Sequence, residues 1–210
     1  MIRFSLFGVP ITVQPWFWIT LAFLGGALNI RTSHDLLQVG LFILAGFVSI
    51  LVHELGHALS GKSFGAPTQI TLIAFGGYAS FPANAFSRTQ DFLVTAAGPF
   101  VQALLGGIVL GVILLTSGLP PLIESFLGSL VLISFFWAII NLVPVIPLDG
   151  GRLMASILGP ARQHLSLKVS MISAIVIGLL MLQFTGSMLF PIFLGFMAYQ
   201  NWQELQHYRH

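Results

Sequence analysis

The chain has 210 residues, of which 56% are hydrophobic and 7% charged, with eight basic against six acidic side chains. A soluble domain carries about 25% charged residues, and a globule this poor in charge would expose apolar patches large enough to aggregate. The composition therefore predicts an integral membrane protein of several spans, excludes a basic nucleic-acid-binding face, and, with no cysteine, excludes disulfides, thiolate metal sites and thiol catalysis.

In chain order, the N-terminus "MIRFSLFGVPITVQPWFW" lacks a long apolar core and a small-x-small site. It is not expected to be a signal peptide. Phe4, Leu6, Val9, Ile11 and Val13 alternate and predict a strand. Apolar runs of about 20 residues then mark six spans, near 15–31, 36–60, 91–117, 122–143, 168–185 and 187–204. Trp16 and Trp18 open the first as interfacial aromatics, and Pro191 is read as a kink inside the sixth. Tyr199, Trp202 and Tyr208 predict a second aromatic belt.

Between spans two and three, "FGAPTQITLIAFGGYASFP" alternates and is rich in β-branched and aromatic types. It predicts a hairpin over 66–82 that turns at Gly76-Gly77. Residues 144–167 read as a loop punctuated by proline and glycine. The expected fold is thus an all-α polytopic membrane protein of about six helices with a small β-rich segment, forming a single domain over 1–210. With six spans, Arg3, Lys62, Arg88, Arg152, Arg162, Lys168 and Arg209 fall on one side and only Arg31 on the other. The positive-inside rule makes the first side cytoplasmic, with both termini on it.

The second span ends in "HELGH". His53 and His57, four apart, lie on one helical face and can offer two imidazole nitrogens to one zinc ion. Glu54 projects to the neighbouring face, where it can serve as general base. A chance match would suit a soluble helix, but ionisable groups within an apolar span are functional by default.

A catalytic zinc site takes three protein ligands and a water. Asp35, Asp91 and Glu124 sit near span ends, His34 on the opposite side, and His164, Glu204, His207 and His210 in polar loop or tail. Asp149 differs: it follows Pro144 and Pro147, which end the fourth span, and precedes Gly150-Gly151. Broken backbone at membrane depth occurs where it is buried in protein or lines a cavity, and such a break can turn a carboxylate inward. The plainer account of Asp149 is an Asp-Gly turn. His57 and Asp149 are both expected near the cytoplasmic ends of their spans.

These residues resemble the site-2 protease family of intramembrane metalloproteases. The likeness is carried by His53, Glu54 and His57 in "HELGH" and by Asn141, Pro144 and Leu148-Asp149-Gly150 in "NLVPVIPLDGG". "AAGPFVQ" at 96–102, "FGG" at 75–77 and "GVPITVQPWF" near the start add to it, so that it covers nearly the whole chain. The resemblance implies a zinc endopeptidase that cuts a transmembrane segment of a single-pass protein. It implies His53, His57 and Asp149 as ligands of one Zn2+, Glu54 as general base, and Asn141 as a holder of the oxyanion or the substrate backbone. A further implication is a strand edge from 66–82 that receives unwound substrate. Asn141 can instead be read as interhelical hydrogen-bond glue.

Two positions depart from the family pattern: Gln102 stands where asparagine is usual and Gln14 where histidine is common. The PDZ and CBS modules of many members are not seen in this sequence. Other classes are a metal transporter or sensor, which would need ionisable groups spread along a path through the bilayer, and an inactive binding scaffold. Replacing Glu54 by Gln separates them, because only an enzyme loses a reaction while keeping its metal.

Overall fold

The computed structural model describes residues 1–207; Tyr208, Arg209 and His210, which the belt, orientation and third-ligand readings used respectively, lie outside the described residues. The chain divides into two compact units, Met1–Ala138 and Ile139–His210.

The first unit opens with a sheet. Strands β1 (Ile2–Leu6) and β2 (Val9–Val13) form an antiparallel hairpin, and β3 (Gln69–Ile73) and β4 (Gly76–Ser80) form another. β2 pairs parallel with β3, Ile11 opposite Ile70, to give the order β1-β2-β3-β4. The single strand expected at the N-terminus is therefore a hairpin, turning at Phe7 and Gly8, both with positive φ. The alternation holds in β2, where Val9, Ile11 and Val13 are buried, and fails in β1, where Phe4 is exposed. The second hairpin turns at Ala74-Phe75 and not at the glycines, which belong to β4.

Helix α1 (Pro15–Leu24) and a 3-10 turn at Ala27–Asn29 occupy the first expected span. Trp18 is half-buried against the core, edge-on to Phe17 with ring centroids 5.3 Å apart and beside Phe47 at 5.2 Å. Helices α2 (Ser33–Ser63) and α3 (Arg88–Leu115) each start on a capping box. Thr32 Oγ1 accepts from the Asp35 N–H at 3.1 Å while the Asp35 carboxylate accepts from the Thr32 N–H at 2.9 Å. Ser87 and Gln90 repeat the arrangement. Each box satisfies two amide donors that a helix start leaves bare. The sheet's buried face, α1 and the second half of α2 share one core; Ala45, Val109, Leu130 and Ile133 of α2, α3 and α4 (Pro121–Asn141) form another.

In the second unit, the stretch read as a loop contains helix α5 (Asp149–Leu158). Helices α6 (Gln163–Thr185) and α7 (Leu189–His207) follow, and their core joins Ala174, Leu194, Met197 and Ala198 to Val145. Pro191 lies in the first turn of α7, where the missing N–H has no intrahelical partner in any case, so the expected mid-span kink is absent there.

Among the described residues, four helices are long and apolar enough to cross a membrane: Ser33–Ser63, Arg88–Leu115, Pro121–Asn141 and Pro160–Phe184. Their outward faces keep large apolar side chains exposed, such as Leu115 at 89% and Phe184 at 81%, as suits a surface solvated by lipid and not by water. The chain is an integral membrane protein with a small sheet. The first expected span is a shorter apolar helix, and the last loses apolarity over its second half, with Gln200, Asn201, Gln203 and Glu204.

Candidate metal centre

His53, Glu54 and His57 lie near the end of α2 and are buried, each at most 6% exposed. The two rings meet edge to face with centroids 4.7 Å apart, as residues one helical turn apart should.

Each ring is held from behind through Nδ1. His57 Nδ1 lies 2.8 Å from the carbonyl oxygen of Val94 in α3. A carbonyl only accepts, so Nδ1 carries the hydrogen. His53 Nδ1 lies 2.9 Å from Oε1 of Gln102, one further turn pair along α3. Each Nε2 is then the ring's acceptor nitrogen, and the two Nε2 atoms face one another at 3.0 Å. Two lone pairs at that distance repel unless a cation lies between them. The donor set therefore fits a divalent metal ion bound by imidazole, with its second-layer partners already in place.

The close approach of α2 and α3 needs glycine on both sides. A Cβ on Gly56 would lie 2.7 Å from the Ala97 carbonyl oxygen, and one on Gly98 would overlap the His57 ring. Pro99 follows and cannot donate to the carbonyl four residues before it. The "AAGP" segment, which by sequence reads as small-residue packing, is the seat of His57. Glu54 packs against β4: a Cβ on Gly77 would lie 2.8 Å from Glu54 Cγ. Gly77 thus leaves room for the carboxylate and does not form the turn.

Asp149, buried in the second unit, is the first residue of α5, after Leu148 in extended conformation. It is a helix start and not the Asp-Gly turn of the plainer sequence account. Gly150 and Gly151 lie so close to the backbone of residues 142–146 that a Cβ on either would overlap it. Two side chains clamp the segment leading to Asp149. The Ile146 N–H donates to Ser170 Oγ of α6 at 2.8 Å, and Asn201 Nδ2 of α7 donates to the Ile146 carbonyl at 2.8 Å. Both clamp residues are buried. Neither was singled out by the sequence reading, although a buried polar side chain in an apolar helix is a usable signal.

Asn141 is the last residue of α4 and is half-buried. The remaining acids and histidines considered from sequence lie at helix ends. Asp35, Asp91 and Glu124 occupy first turns, and His34, His164, Glu204 and His207 are exposed. Gln14 precedes α1 and makes no side-chain cap. His53 and His57 in the first unit and Asp149 in the second are buried side chains of the kinds that ligate a metal ion.

The sequence profile described as Peptidase family M50 matches residues 41–123 and 120–184. A Synechocystis protein named for zinc metalloprotease activity is 34% identical over 169 residues, 73% of this chain and 42% of that protein. A zinc metalloprotease of Methanocaldococcus jannaschii is 32% identical over 167 residues, 77% of this chain and 46% of the relative. The chain thus spans less than half the length of these relatives. Among solved structures, the site-2 protease from Methanocaldococcus jannaschii superposes with a TM-score of 0.64 at 26% identity, covering 95% of this chain and 94% of that one. Because the matched residues run through both the paired-histidine turn of α2 and the start of α5, this chain belongs to peptidase family M50.

Proposed function

We propose that the chain is an intramembrane zinc metalloendopeptidase. It hydrolyses peptide bonds within or near the transmembrane segments of single-pass membrane proteins, in regulated proteolysis or in clearing signal-peptide remnants. The observation that carries this is the pair of imidazoles held through Nδ1 with their Nε2 atoms facing at 3.0 Å, next to a buried glutamate. A pure binding site has no use for Glu54.

His53, His57 and Asp149 would hold one Zn2+, which when bound lowers the pKa of water to about 7 and acts as a Lewis acid. Glu54 takes a proton from the attacking water and returns it to the leaving amine. Asn141 donates its side-chain amide to the developing oxyanion or to the substrate backbone.

A helical substrate keeps its carbonyls hydrogen-bonded and must be extended before attack. β4 is an edge strand of the sheet, and its Gly77 touches Glu54. Substrate added along that edge gains main-chain partners as its helix unwinds, beside the general base. Counted over the six expected spans, the lysine and arginine distribution supports cytoplasmic termini; counted over six or over the four long apolar helices, it supports a site near the cytoplasmic face.

The test is co-expression with tagged single-pass substrates, comparing wild type with Glu54→Gln by product size. Cleavage by wild type, its loss in Glu54→Gln and retained zinc are expected. Products that persist in Glu54→Gln would overturn the reading. Zinc content that is unchanged in Asp149→Ala removes that residue from the ligand set.

A further inference from the structure

We infer that Gln102 is the positioning residue for His53, holding its ring with the hydrogen on Nδ1 so that Nε2 is the atom offered to the metal; this rests on His53 being a ligand. Gln102 is fully buried in α3, within a stretch, residues 96–115, that is otherwise apolar. An amide there costs free energy unless its hydrogen bonds are made. They are made, and their direction is determined. Gln102 Nε2 lies 3.0 Å from Ser49 Oγ and 3.4 Å from the Ser49 carbonyl oxygen. That carbonyl can only accept, so the amide NH2 is on the Ser49 side and Oε1 faces the imidazole. Oε1 has no hydrogen to give. The bond to His53 is therefore Nδ1–H donating to Oε1.

Ser49 Oγ in turn lies 2.9 Å from Ser134 Oγ of α4, so the chain Ser134–Ser49–Gln102–His53 ties α2, α3 and α4 to the ligand ring. The two histidines differ in how they are held. His57 is oriented by a main-chain carbonyl, which no substitution at position 94 removes. His53 is oriented by a side chain 49 residues away. Orientation of this ligand is thus the part of the site that a single side chain controls. A neutral amide in this place also sets the tautomer without adding a charge to a membrane span.

The test measures zinc affinity by chelator competition on the full chain in detergent, for wild type, Gln102→Leu and Gln102→Glu. Leucine keeps the volume and removes the acceptor, and glutamate keeps the acceptor. Gln102→Leu is expected to bind zinc about 10–100-fold more weakly, with Gln102→Glu close to wild type. A packing role alone would give the opposite order, because the apolar residue suits the apolar helix. Long-range 15N spectra of the histidines in zinc-free wild type supply a readout that needs no variant, and a hydrogen on His53 Nδ1 is expected. Wild-type zinc affinity in Gln102→Leu, or a hydrogen on His53 Nε2, overturns the inference. His53→Ala separates the two levels: undiminished zinc in that variant removes the ligand reading itself, and this inference with it.

Discussion

Gly98 shows how narrow the tolerances are at single residues. Its hydrogen faces the His57 ring, and a methyl group there would occupy the ring's place. Gly98→Ala should cost about 1–3 kcal/mol by overpacking and should lower zinc content, read by metal analysis and thermal unfolding in detergent. Gly77→Ala is a gentler probe, because the group it meets is the flexible Glu54 side chain and Leu72. It is expected to lower kcat while leaving zinc content unchanged, since it displaces the base and touches neither histidine. That His53, Glu54 and His57 share one buried turn of α2 was legible in sequence, because an i, i+4 pair on one helix is a local fact. What holds those rings was not. Gln102 and Val94 are distant in sequence, and no periodicity marks a carbonyl oxygen as a partner.

At the scale of elements, α5 is the clearest difference between sequence and structure. Two glycines after an aspartate look like a turn, yet here they start a helix, because only glycine lets that first turn lie against the backbone of residues 142–146. The segment before it is pinned by Ser170 and Asn201. Asn201→Leu leaves the part-buried Ile146 carbonyl without this donor and should destabilise by about 1 kcal/mol. A lowered zinc affinity should accompany it as Asp149 loses its fixed approach, and an unchanged affinity would show that the clamp serves stability alone. The sheet was half legible. Alternation identified strands, but the parallel pairing of β2 with β3 joins segments 59 positions apart, Ile11 and Ile70. Loop closure of that kind leaves no trace in a window of ten residues.

For the whole molecule, the decisive quantity is charge scarcity. With 7% charged residues, the exposed apolar side chains of α3 and α6 are stable only in lipid or detergent. Metal binding adds to that stability by mass action. Zinc at 100 times its dissociation constant should stabilise the fold by about 2.7 kcal/mol. Chelation should therefore lower the unfolding temperature of wild type and leave that of His53→Ala where it was, a comparison made by thermal scans with and without chelator.

The membrane setting, the helical class, the paired histidines with their glutamate, and the singling out of Asp149 were all decided by the sequence itself. Each depends on residue chemistry read over one helical turn or one apolar run. The tertiary structure alone decided that the sheet is one body of four strands, that Asp149 begins a helix, and that Gln102 and Val94 orient the imidazoles. Those outcomes depend on which distant surfaces pack together, and packing selects partners by shape and hydrogen-bond direction, which a linear pattern of hydrophobicity does not carry.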